Sequence, residues 1–122
     1  MTEPTHLEDS ATFDLDGIVR SLRADAAYAR DGHAARTLLR QPDLRVVLIA
    51  LRAGSAIKEH RAHETASIQA LEGRVRLALR EGRGAREVEL GCGQLLALAP
   101  DVPHDVHALE DGALVLTLGW RG

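Results

Sequence analysis

Between Leu15 and Arg30 apolar side chains recur every three or four residues, at Leu15, Ile18, Val19, Leu22 and Ala26, with Arg20, Arg23 and Asp25 between them. That period collects the apolar set on one face of a helix. Asp14 stands where its carboxylate can accept an otherwise unpaired amide of the first turn, and Asp31-Gly32 supplies the stop. Beyond Gly32 the pattern changes to short apolar runs divided by turn residues. The runs fall at roughly 34–40, 44–52, 65–72, 74–80, 85–90, 94–99, 103–109 and 113–120.

The breaks between them have turn chemistry: Gln41-Pro42-Asp43, Glu72-Gly73, Gly82-Arg83-Gly84, Gly91-Cys92-Gly93, Pro100-Asp101 and Asp111-Gly112. Strands at this regular spacing predict an antiparallel sandwich or barrel. Arg74 to Arg80 and Arg86 to Leu90 alternate polar and apolar, the pattern of a sheet with one wet face. Leu95 to Leu98 does not alternate, which predicts a strand covered on both sides. The expected organisation is a flexible lead over 1–13 and one domain over 14–122, all-β apart from one N-terminal helix.

Composition narrows the functional classes. A chain of 122 residues buries about two-thirds of the surface it exposes when unfolded, enough for one core. Phe13, Tyr28 and Trp120 are its only aromatics, so the core is aliphatic. With few stacking platforms, a formal charge of −3 and no basic run, nucleic acid is not an expected partner. No apolar run approaches the length of a membrane span, and the N-terminus is polar and acidic without an export pattern, so a cytoplasmic protein is expected. Cys92 is the single cysteine, which excludes an intrachain disulfide.

The candidate chemistry lies in two histidines in matching settings. His60 closes Gly54-Ser-Ala-Ile-Lys-Glu-His60, and His104 closes Gly93-Gln-Leu-Leu-Ala-Leu-Ala-Pro-Asp-Val-Pro-His104. Neutral imidazoles brought together from separate strands are common donors to divalent transition metals.

These residues resemble the small single-domain cupins, whose fold is a jelly-roll β-barrel of two antiparallel sheets. The first cupin motif runs glycine, five residues, His-x-His, three or four residues, Glu, six residues, glycine. The second runs glycine, five residues, Pro-x-Gly, two residues, His, three residues, Asn. Gly54, His60 and Gly73 fall on the first in register, and Gly93 and His104 on the second. The second histidine position holds Ala62, the glutamate position Ala66, the first proline position Ala99, the second glycine position Asp101 and the asparagine position Ala108. The resemblance implies a divalent metal, nickel, zinc, iron or manganese, in a site formed by His60, His104 and a third ligand. It also implies a homodimer.

His63 is the candidate third metal ligand, one residue out of phase and needing a bulge or loop over Arg61 to Glu64 to re-aim it. The competing assignment is a solvated loop histidine. Gln69 is the candidate ligand-binding side chain: it faces the cavity if Ser67 and Leu71 do, and faces away if Ala66, Ile68 and Ala70 do. His107 falls on the face opposite His104, and His6 and His33 sit in the lead and at a loop edge. Arg36, Arg45 and Arg52 can meet a carboxylate or lie solvated on the sheet surface. The leading expectation is a barrel holding a metal or small molecule. A ligand-binding or sensor barrel without catalysis or metal is the alternative, and the sequence does not decide whether the protein is an enzyme.

Overall fold

The computed structural model describes residues 7–82 and 84–119. His6, Arg83 and Trp120, which the sequence placed in the lead, a turn and the last strand, lie outside the described residues. Among the described residues two short helices, α1 (Leu15–Arg23) and α2 (Ala26–Asp31), precede nine strands. These are β1 (His33–Arg40), β2 (Leu44–Leu51), β3 (Ala56–His60), β4 (Ala66–Glu72), β5 (Arg74–Glu81), β6 (Gly84–Gly91), β7 (Leu95–Leu98), β8 (His104–Ala108) and β9 (Gly112–Gly119).

The helical stretch is broken once. Asp14 caps α1 by accepting from the Gly17 amide, and Asp25 starts a second helix by accepting from the Ala27 amide. A short acidic side chain bonding its own downstream backbone begins a helix more readily than it continues one, so the run divides at Ala24. Gly32 ends α2 with φ 80°, a left-handed position that suits glycine.

The strands form two antiparallel sheets, one ordered β1-β2-β9-β4-β7 and the other β3-β8-β5-β6. Packed face to face they make the jelly-roll barrel expected from the strand spacing. Alternation assigns the faces. Leu51, Ile68, Ala70, Val75, Leu77, Leu79, Val106 and Leu114 fill the space between the sheets, while Leu48, Ala50 and Ala113 on the other face of the first sheet pack under Val19, Leu22 and Tyr28 of the helices. Each such leucine or valine removed from water contributes about 1.5–3 kcal/mol, and the aliphatic set carries the fold.

Two expectations about strands change. β7 is the edge of its sheet, with Leu95 56% exposed and Leu96 and Leu98 buried, so it alternates and is covered on one side only. The helices lie over β1 and β2 at the opposite edge and leave the outer face of β7 bare. β3 carries one large apolar side chain, Ile57, and its other positions are exposed, so no hydrophobic period announced it.

Candidate functional site

His60 and His104 are direct partners across β3 and β8, and a β-bulge brings them to one face. Ile57 pairs with Val106 and His60 with His104, so three steps along β3 match two along β8. In a regular strand Ile57 and His60 would point to opposite faces. The extra residue re-aims His60 toward the interior that Ile57 and His104 share. The bulge lies before His60, and Arg61 to Glu64 belong to the loop between β3 and β4.

The two rings meet at 4.2 Å between centroids and 60° between planes. His104 is 2% exposed, whereas His60 is open to solvent. Each ring donates its Nδ1–H to a carbonyl two residues back, His60 to Lys58 at 3.2 Å and His104 to Val102 at 3.1 Å. With Nδ1 donating, the neutral form of each ring carries its free lone pair on Nε2. Burial pushes the His104 imidazole below its usual pKa, and the neighbouring His60 ring acts in the same direction.

Two cavities meet at this pair. One, of about 250 Å³, is apolar, walled by Ile49, Ile57, Ile68, Val106 and Leu114 and edged by His33 and Ala35. The other, of about 320 Å³, is bordered by Arg45, Arg61, His63, Glu64, Ala66 and Leu118. His60, His104 and Leu116 belong to both. The pair is thus the junction between a greasy chamber and a charged one.

The other expected ligands take different places. His63 lines the charged cavity, but its ring is 79% exposed and its Nδ1–H is held by the Asp101 carboxylate at 2.7 Å. Gln69 lies on the face of β4 opposite Ala66, Ile68 and Ala70 and lines neither cavity, because the strand takes the phase that buries those three. His107 faces away from the barrel interior beside Asp105. Arg36 bonds the Ser21 hydroxyl, and Arg52 lies over the Tyr28 ring at 5.9 Å. Of the three arginines, only Arg45 lines either of these two cavities.

Arg45 and His33 are the lining residues that sequence reasoning undervalued. Arg45 shares the inward phase of Ile49 and Leu51, and a charge at an inward position of an apolar strand was the available signal. Its Nε, like His33 Nδ1, is buried without a hydrogen-bond partner.

The donor set does not make a resident metal site. Among the described residues no group of three or more His, Cys, Asp or Glu is placed to hold a metal ion. Two imidazoles fall short of the three protein donors of a catalytic zinc site. Ala66, at the family's glutamate position, faces the charged cavity with a methyl group, and Ala62 replaces the second histidine. Of the expected trio, the structure brings the rings of His60 and His104 together, while His63 lines the same cavity with its ring bonded to Asp101.

Among the described residues no helix is long and apolar enough to cross a membrane. No family model matches the chain, and neither does any curated protein. Solved structures do. A conserved protein of unknown function from Streptococcus pyogenes, SPY1581, is 20% identical with a TM-score of 0.73, over 100% of this chain and 97% of that one. A cupin superfamily protein from Desulfitobacterium hafniense, DSY2733, is 10% identical with a TM-score of 0.66, over 73% and 78%. Oxalate decarboxylase from Bacillus subtilis, a protein with Mn(II) centres, is 22% identical with a TM-score of 0.64. That match takes in 71% of this chain and 24% of the enzyme, so the chain spans about a quarter of its length. Sheet order, strand register and these likenesses agree, and the chain is a small protein of the cupin fold.

Proposed function

We propose that the barrel binds a small organic molecule at the His60–His104 pair, without a firmly held metal as a prerequisite. The observation that carries this is the junction itself: two imidazoles in contact stand where an apolar and a charged cavity meet. Apolar walls with a few converging polar groups are the usual form of a small-molecule site. The buried ring of His104 and the exposed ring of His60 offer two Nε2 acceptors to one ligand donor or to an ordered water. The position of Ala66 supports a ligand in place of an ion, since a methyl group adds contact area and no donor.

A fragment panel read by the histidine ring resonances of isotopically labelled protein tests this. Binding fragments should shift the His60 and His104 ring signals together, leave His107 unmoved, and lose most of their affinity in His104→Phe. Gln69→Ala should bind as the wild type does. A panel in which no compound moves the two rings overturns the reading.

A further inference from the structure

We infer that the ligand is an amphipathic carboxylate, whose acid group pairs with Arg45 while its apolar body passes the histidine pair into the neighbouring chamber. This deepens the small-molecule reading and rests on it. Arg45 belongs to the strand that builds both cavities. Along β2 it takes the inward phase, its neighbour across β9 is Leu118, and four residues further on Ile49 lines the apolar chamber. Strand geometry separates those two positions by about 13 Å, the length of a medium-chain acid.

Arg45 lines the cavity with no carboxylate partner among the described residues, and its Nε is buried with no acceptor. Several other arginines have a carboxylate partner: Arg76 pairs with Glu87, Arg80 with Glu59 and Arg23, whose Nε is likewise buried without an acceptor, with Glu72 through its Nη2. A dry, unmatched N–H on a fixed cation is costly, and a carboxylate satisfies it through two parallel bonds in the plane of the fork.

The charge around it favours an anion. The same cavity carries Arg61 beside a single acid, Glu64, and the one nearby carboxylate of the turn, Asp101, is already engaged by His63. The apolar chamber on the far side of the histidines has no charged wall residue; Ile49, Ile57, Ile68, Val106 and Leu114 suit a hydrocarbon body and would exclude a second charge. A sugar or a nucleotide would leave its polar groups unmatched there.

Calorimetric titration of linear carboxylates from butanoate to decanoate, each beside its primary amide, tests the assignment. Acids should bind wild-type protein about tenfold or more tighter than amides of equal length, the gap expected of a charge-assisted pair. Arg45→Gln should erase that gap while leaving amide affinity within about twofold, and Arg45→Lys, a cation without the fork, should restore only part of it. Ala35→Phe, at an exposed edge of the apolar chamber, should shorten the preferred chain without changing the acid preference. Circular dichroism establishes that each variant is folded. Equal affinities for acid and amide, or a preference that survives Arg45→Gln, overturns the carboxylate assignment; ring shifts of His60 and His104 with uncharged fragments would then leave the small-molecule reading standing. If neither this series nor the fragment panel moves those rings, both fall.

Discussion

His63 and Asp101 tie the loop after β3 to the turn before β8. The imidazole donates to the carboxylate at 2.7 Å while the Asp101 amide donates to the Ala62 carbonyl at 2.7 Å. Asp101 occupies the cupin glycine position and, with φ 67°, keeps the left-handed backbone that glycine would provide. Aspartate is among the few side chains that tolerate that region, so the substitution preserves the turn and gives it a second anchor.

Replacement of Asp101 separates the backbone term from the side-chain term. Asp101→Ala should cost about 1–2 kcal/mol in urea denaturation, the penalty for a left-handed residue with a Cβ and no local hydrogen bond. Asp101→Gly should cost less, because it loses the tie to His63 but relaxes the backbone. Equal losses in the two variants would assign the turn's stability to the tie alone.

Stability should fall in mild acid, and His104 should be a cause. Its folded pKa lies below the ordinary 6.5, through burial first and the His60 ring in the same sense, against the Val102 carbonyl and Asp105. Below about pH 6.5 the unfolded chain therefore takes up a proton that the folded ring resists. The contribution is complete above the unfolded pKa and is lost as pH falls through the folded one. Urea midpoints from about pH 7.5 to about pH 5 should decline, and His104→Phe should flatten the slope. An unchanged slope in that variant would remove His104 from the explanation.

Chelation should leave the fold untouched. An ion that contributes to stability must bind the native state with real affinity, and two imidazoles supply little. Untagged protein should carry well under one equivalent of nickel, zinc, iron or manganese, and excess chelator should move the melting temperature by less than about 1 °C. One tightly held equivalent that disappears in both His60→Ala and His104→Ala would establish a metal site from two protein donors and solvent.

Gly73 should be among the least replaceable positions. It sits at φ 72° between β4 and β5, and a Cβ there would press on the Asp111 carbonyl and come within 2.9 Å of Gly112 Cα. Both obstacles are backbone and cannot swing aside. Gly73→Ala should cost more than about 2 kcal/mol, combining strain and clash. Gly54→Ala, with the same sign of φ but open space around it, should cost only the conformational part.

The sequence by itself determined the architecture and the two residues at its centre. Turn residues at regular spacing and the alternation in Arg74 to Arg80 specify antiparallel sheets, since a period of two can bury one face only in a strand. Gly54, Gly73 and Gly93 take positive φ, and the histidines of the two motifs meet. The turns were legible because the residues that need them are neighbours in sequence, and the histidine pair was legible only through the resemblance of its two motifs to those of cupins.

What only the tertiary structure decided was phase and company. β3 shows a single apolar side chain, so neither the strand nor the bulge that turns His60 inward could be read from its pattern. The phase of β4 depends on pairing with β7 and β9, and it sends Gln69 outward and Ala66 inward. His63 is drawn to Asp101 by a turn distant in sequence, and Arg45 reaches a cavity wall because β2 lies beside β9. A side chain's direction in a sheet changes with one residue of register, and register is set by the partner strand, which the local sequence does not contain.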